Sequence, residues 1–216
     1  MLRVKKDSMF YFKKTPWWLK KLYKSCVWEI NTKQNIIYLS FDDGPHPIAT
    51  PFVLNELKKY NATATFFCIG KNVALYPEIY KRIIAEGHSV GNHTQNHLSG
   101  WKAKNDTYIK NILSAGKHIN SNLFRPPYGR ITFKQLKLLL QLQQPFKVIM
   151  WSVLSGDFDT EISNIKCLNN VITNTTAGSI IVFHDSEKAL EKIRFALPKV
   201  LKHFSKIHFI FNKIDI

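Results

Sequence analysis

Two adjacent carboxylates, Asp42 and Asp43, follow the apolar run Ile36–Phe41 and precede Gly44, Pro45, His46 and Pro47. Like charges side by side repel, and a turn alone could use Asn-Gly or Asp-Gly. The pair therefore points to chemistry. Farther along, "HTQNH" sets His93 and His97 four positions apart. On a helical turn such side chains share a face, so both imidazoles can reach one cation. Taken alone, a surface histidine pair is the commoner outcome, and a third ligand changes the reading. Asp43 is the candidate. Two imidazoles and one carboxylate leave open positions on zinc or a similar ion, which a catalytic metal needs. With the charge of Asp43 neutralised, Asp42 stays ionised as a free base toward water whose pKa the metal lowers. The bland alternative is that both carboxylates cap the following helix.

Hydrolysis of an amide or ester also needs an acid for the leaving group and a donor for the oxyanion. His184 ends the apolar run "SIIVFH", where a core histidine is the ordinary reading. Asp157, in "SGDFD", is available to orient it and raise its pKa. Arg125, in "RPPYG", could pair with Asp42, and that rigid loop can turn backbone N–H groups inward.

These residues need elements to carry them. Strand-like runs are read at Ile36–Phe41, Thr63–Cys68, 88–93, Leu123–Arg125, Phe146–Val153, Ser179–His184 and His208–Phe211. Helical spacing lies between them, at 50–60, 76–87, 106–120, 133–142, 161–173 and 188–203. This alternation predicts an α/β fold with a mostly parallel sheet. The five polar clusters all fall at C-terminal ends of predicted strands, the edge where parallel α/β folds build sites.

Composition sets the outer limits. At 216 residues, 45% of them hydrophobic, the chain can bury a sizeable core in one domain. Cys26, Cys68 and Cys167 are scattered and odd in number, which argues against a disulfide framework or a cysteine metal knuckle. The net charge of +16 suits an anionic partner, or equally a Lys-, Asn- and Ile-rich background. Residues 1–24 hold eight Lys or Arg against one Asp. This leader lacks the 7–15-residue apolar stretch of a secretory signal, and no run approaches the ~18 apolar residues of a membrane span. A cytoplasmic protein is expected, with the Trp17–Trp18 region either touching a membrane surface or packed across the domain as a clasp. No nucleic-acid module is recognisable.

In order, "SFDDG", "HTQNH", "RPPYG", "SGDFD" and "VFH" resemble the motifs of the polysaccharide deacetylase family, the NodB-homology domain of carbohydrate esterase family 4. The resemblance covers Ile36 to His184. It implies a distorted (β/α) barrel of about seven parallel strands; the basic leader is read as an N-terminal extension at 1–34 packed on a catalytic domain at 35–216. It implies Asp42 as base, Asp43, His93 and His97 as ligands of zinc (or cobalt, nickel or manganese), and Arg125 orienting Asp42. It further implies the Tyr128 N–H as oxyanion donor and Asp157 tuning His184 as acid. Pro127, Trp151, Phe158 and Val182 are expected at the substrate wall. Three positions depart from the family pattern: Leu154 replaces an Asp, Phe158 a Trp and Val182 a Leu. They alter the groove and leave the base, acid and ligands in place. The implied activity is metal-dependent removal of N-acetyl groups from amino sugars of a polysaccharide, oligosaccharide or glycan precursor by a monomer. O-acetyl ester hydrolysis, or a non-catalytic anionic-glycan or membrane binder, are the alternatives.

Overall fold

The computed structural model describes residues 11–216, so residues 1–10 of the basic leader lie outside the described residues. Strand β1 (Ile36–Asp42) is buried along its whole length, as its continuous apolar run requires of a central parallel strand. It pairs in parallel with β2 (Thr65–Cys68) on one side and β7 (Ile180–His184) on the other. The sheet continues through β3 (Ser89–Asn92), β4 (Leu123–Phe124) and β5 (Lys147–Val148) on the β2 side, and β6 (Val153–Leu154) flanks β7. The resulting order is β5-β4-β3-β2-β1-β7-β6, and every pairing is parallel. A last strand, β8 (Ile210–Phe211), pairs with the start of β1. This is an α/β fold whose seven-strand path curls into an incompletely closed barrel.

The expectation of one strand over Phe146–Val153 is corrected. Lys147–Val148 and Val153–Leu154 are two short strands on opposite edges of the sheet. Residues 149–152 cross the gap between those edges, so a continuous apolar run serves as a bridge. The run is buried from Val148 to Met150, which gives it the hydropathy of a strand without the pairing.

Helices α2 (Ala49–Lys58), α7 (Asn164–Ile172) and α8 (Leu190–Lys206) send apolar side chains into one large cluster with Phe41, Phe66 and Phe183. Helix α4 (Pro77–Ala85) contributes Ile83 to the same cluster. Helices α5 (Asn105–Ala115) and α6 (Phe133–Leu140) close a second cluster around Phe124 and Val148. The six-residue helix α3 (Gly70–Leu75) is not foreseen from the sequence, being too short to show a period. No helix among the described residues is long and apolar enough to cross a membrane.

The segment before β1 lies across the gap. It carries helix α1 (Trp17–Leu22) and buries Cys26 and Trp28. Leu154 N donates to the Lys13 carbonyl (2.9 Å) and Thr15 N to Ser152 O (2.9 Å). On the other edge, Val27 N donates to Val148 O (2.8 Å) and Met150 N to Val27 O (2.7 Å). Ile30 N donates to Gly178 O (2.9 Å), beside a glycine at φ +80° whose Cβ would collide with the Ile30 carbonyl. Gly178→Ala therefore combines strained backbone with a backbone clash. Its expected cost is about 1–3 kcal/mol, read as a lower denaturant midpoint with an unchanged m-value; an unchanged midpoint would show that this end of the segment contributes nothing to stability.

Candidate active site and metal centre

The C-terminal ends of the strands deliver the predicted residues to one rim. Asp42 ends β1, and Asp43 follows in the left-handed region at φ 83°. His93 follows β3 and its N–H donates to Cys68 O (2.9 Å). His97 is not on a helical turn, contrary to what its spacing suggests. Residues 93–97 form a loop in which Thr94 (φ 64°) and His97 (φ 55°) are both left-handed. Side-chain hydrogen bonds shape that loop: Thr94 N donates to Asn92 Oδ1 (2.8 Å), Leu98 N to Thr94 Oγ1 (3.0 Å) and Gln95 N to Asn111 Oδ1 (2.9 Å). The i,i+4 proximity is real, but it comes from bonded turns rather than from helical pitch.

Helix α3 ties the two ligand-bearing loops together. Asn72 Nδ2 donates to the Asp43 carbonyl (2.8 Å). Gly70 N and Lys71 N donate to Thr94 O (3.0 Å) and Gln95 O (3.1 Å). The ligand atoms offered by Asp43, His93 and His97 lie within 4.8 Å of one another. Asp43 Oδ1 stands 3.1 Å from His97 Nε2 and 3.7 Å from His93 Nε2, and it is buried without a hydrogen-bond partner. His93 Nδ1 lies 2.8 Å from the Arg125 carbonyl, which fixes the tautomer and leaves Nε2 as a lone-pair donor. Burial pushes His93 down to about 4, so its ring is neutral at physiological pH. Burial pushes Asp43 up, but the imidazoles of His97, His184 and His93 outweigh it and hold the carboxyl below the ordinary range. Two imidazoles and one carboxylate, its orphaned oxygen beside both rings, fit a divalent ion.

Beside that trio, Arg125 is fully buried and donates from Nη1 to Asp42 Oδ1 (2.7 Å) and Ser40 Oγ (2.7 Å). Its Nε and Nη2 reach the carbonyls of Ile149 (3.1 Å) and Met150 (2.9 Å). Across the pocket, Asp157 accepts twice from His184, from the backbone N–H (2.7 Å) and at ring Nδ1 (2.8 Å). Burial pulls His184 down, but Asp157 more than reverses this, with Asp43 and Asp42 assisting, so the ring is pushed up to about 10. A cation on Asp43 would cancel part of that lift and leave the Asp157 contribution.

A pocket of about 360 Å³ is lined by Asp42, Asp43, His93, His97, His184, Tyr128, Trp151, Phe158 and Val182. Arg125 and Asp157 lie behind this surface with no exposure. Pro127 does not reach it: the residue is buried at the start of a single 3-10 turn, Pro127–Gly129. Tyr128 sits in that turn at φ 61°, its ring 4.6 Å from that of His97.

The sequence reading missed three residues here. Asp185 is fully buried and accepts from Gly44 N (3.0 Å) and Thr50 Oγ1 (2.5 Å), anchoring the loop after Asp43. Burial pushes it up to about 8, against those hydrogen bonds. Its signal was the carboxylate next to His184. Lys188 lines the pocket from the turn before α8, and Tyr11 lines it from the N-terminal segment. Tyr11 carries no sequence signal, because only the fold brings it to Asp159 (2.9 Å) and Phe158.

This fold and site place the chain among known proteins. Residues 29–146 match the model of the polysaccharide deacetylase family, and the chain belongs to that family. It is 34% identical over 189 residues to a peptidoglycan-N-acetylglucosamine deacetylase of Bacillus cereus, covering 83% of this chain and 86% of that protein. It is 35% identical over 164 residues to a chitooligosaccharide deacetylase of Azorhizobium caulinodans, covering 72% and 76% respectively. It also resembles a crystal structure of a peptidoglycan N-acetylglucosamine deacetylase in complex with 4-naphthalen-1-yl-N-oxidanyl-benzamide. There the TM-score is 0.83 and the identity 32%, over 93% of this chain and 95% of the other.

The metal trio makes a direct expectation. Purified protein loaded with zinc and desalted should hold about one ion per chain by elemental analysis, and His97→Ala should hold well below that. Equal metal content in both would remove His97 from the centre.

Proposed function

We propose that this protein hydrolyses the N-acetyl group of amino sugars in a glycan, releasing acetate and a free amine. The carrying observation is that three donors able to hold a metal ion, an Arg-paired carboxylate and an Asp-paired histidine all face one pocket. The names of the relatives support the same class of substrate. A divalent ion held by Asp43, His93 and His97 supplies Lewis-acid activation of water and of a carbonyl oxygen; zinc suits the donor set, with cobalt, nickel and manganese as alternatives.

The chain's own groups divide the remaining work. Asp42 accepts a proton from the water that attacks the acetamide carbon. Arg125 holds that carboxylate in place through the bond to Oδ1, leaving the other oxygen for the proton. The Tyr128 N–H donates to the developing oxyanion. His184, its Nδ1 side fixed on Asp157, delivers a proton from Nε2 to the nitrogen as the C–N bond breaks. Trp151, Leu154 and Val182 give the pocket an apolar wall suited to an acetyl methyl.

Acetate release from N-acetylated chitin oligomers and peptidoglycan fragments tests the reading, and chelation of the metal should abolish it. Asp42→Asn should retain metal and lose about 10²–10⁴ in turnover; wild-type turnover in that variant would end its assignment as base. The pH dependence has a defined sign. A raised His184 pKa keeps the acid protonated at neutral pH, and activity declines only as pH climbs toward that value. Asp157→Asn removes the charge that raises it, so the alkaline limb should move to lower pH by roughly one to three units. A limb that stays in place would detach Asp157 from the acid.

A further inference from the structure

A second cavity of about 380 Å³ adjoins the catalytic pocket. Tyr11, Tyr128, Arg130, Trp151 and Leu154 line both, so the two lie side by side with a common wall. The far wall of the second cavity is made by the N-terminal segment, through Phe12, Thr15, Trp18, Leu19, Tyr23 and Trp28. Trp101 also lines it.

This wall is built and held. Thr15 is buried and its Oγ1 donates to the carbonyl of Trp151 (2.7 Å), the residue that separates the two cavities. Trp18 is half exposed and meets Phe12 edge to face, with ring centroids 6.1 Å apart. Trp101 is 63% exposed, its Nε1 donating to Ile131 O (3.3 Å). Arg130 spans the junction, its guanidinium 5.2 Å from the Trp101 ring and 5.7 Å from the Tyr128 ring. Large aromatic faces left open to water beside a catalytic pocket, with a cation between them, are unusual as mere surface. Their chemistry is that of a pyranose site: indole faces for the C–H side of the ring, and guanidinium and phenol groups for the hydroxyl edge. Leu19, Met150 and Leu154 add aliphatic surface, but an apolar chain would gain nothing from Arg130.

Resting on the deacetylase reading of the neighbouring pocket, we infer that the N-terminal segment supplies a subsite, centred on Trp18, Trp101 and Arg130, that takes a further sugar residue of the glycan chain. The segment is then part of the substrate groove as well as a clasp, and the protein prefers oligomers long enough to bridge the two cavities.

The test is direct binding, independent of turnover. The intact protein is mixed in a stopped-flow fluorimeter with the N-acetylated chitin dimer or tetramer, and tryptophan fluorescence is read before turnover accumulates. The tetramer should bind about tenfold more tightly than the dimer. Trp18→Ala and Trp101→Ala, both half-exposed or exposed positions expected to leave the melting temperature in place, should each abolish most of that difference while changing dimer affinity little. Equal affinity for the two oligomers in the wild type, or a length preference that survives both substitutions, would overturn the subsite. So would Trp18→Ala weakening attachment to phosphatidylglycerol vesicles while tetramer affinity stays the same, which would make the segment a membrane contact. Acetate release on the same oligomers tests the catalytic reading separately: length-dependent binding without acetate keeps the subsite and removes that reading.

Discussion

The buried ion pair between Arg125 and Asp42 is the constraint around which the site is arranged. A carboxylate at the end of a fully buried strand is costly unless it is paired and hydrogen-bonded. Arg125 meets that need and does more. Its guanidinium stacks 4.0 Å from the Phe67 ring and bonds the carbonyls of Ile149 and Met150, the start of the bridge across the barrel gap. One planar cation thus joins β1, β2, β4 and the bridge. Lysine could not replace it, because a point charge cannot satisfy a carboxylate, a hydroxyl and two carbonyls in fixed directions.

The same pairing separates two adjacent carboxylates that would otherwise compete. Asp42 faces Arg125, whereas Asp43, turned by its left-handed backbone, faces the imidazoles. Different environments give identical side chains different work. The turned loop is held from two sides, by Asn72 of α3 and by Asp185 after β7. Neither of these residues touches the pocket surface, yet both govern where the Asp43 oxygens point.

Much of this is legible in the sequence. The alternation of apolar runs and helical spacing carries the parallel sheet, because each buried strand must be continuous in hydropathy and each helix amphipathic. The rim residues are legible because a charged group at the end of a buried apolar strand is costly to keep there unless it is paired or put to chemical use. The losses have physical causes. Residues 146–153 are apolar because they are buried, and burial alone does not distinguish a paired strand from a bridge. The His93–His97 spacing has one sequence and two geometries, and the loop won through Asn92, Thr94 and Asn111. Pro127 is adjacent to the site in sequence but turns into the interior. Asp185 and Tyr11 act through contacts of long sequence separation, which spacing cannot reveal.

The bridge at 149–152 also bears on how the chain acquires its structure. By leaving β5 and β6 as edges, it presents unpaired backbone that the N-terminal segment covers, through Val27 on one side and Lys14 on the other. Bare sheet edges invite pairing with other chains. During synthesis the covering segment leaves the ribosome well before its partners at Val148, Ser152 and Gly178. The segment therefore docks only after those partners are made, and until it does, both edges of the sheet stay open.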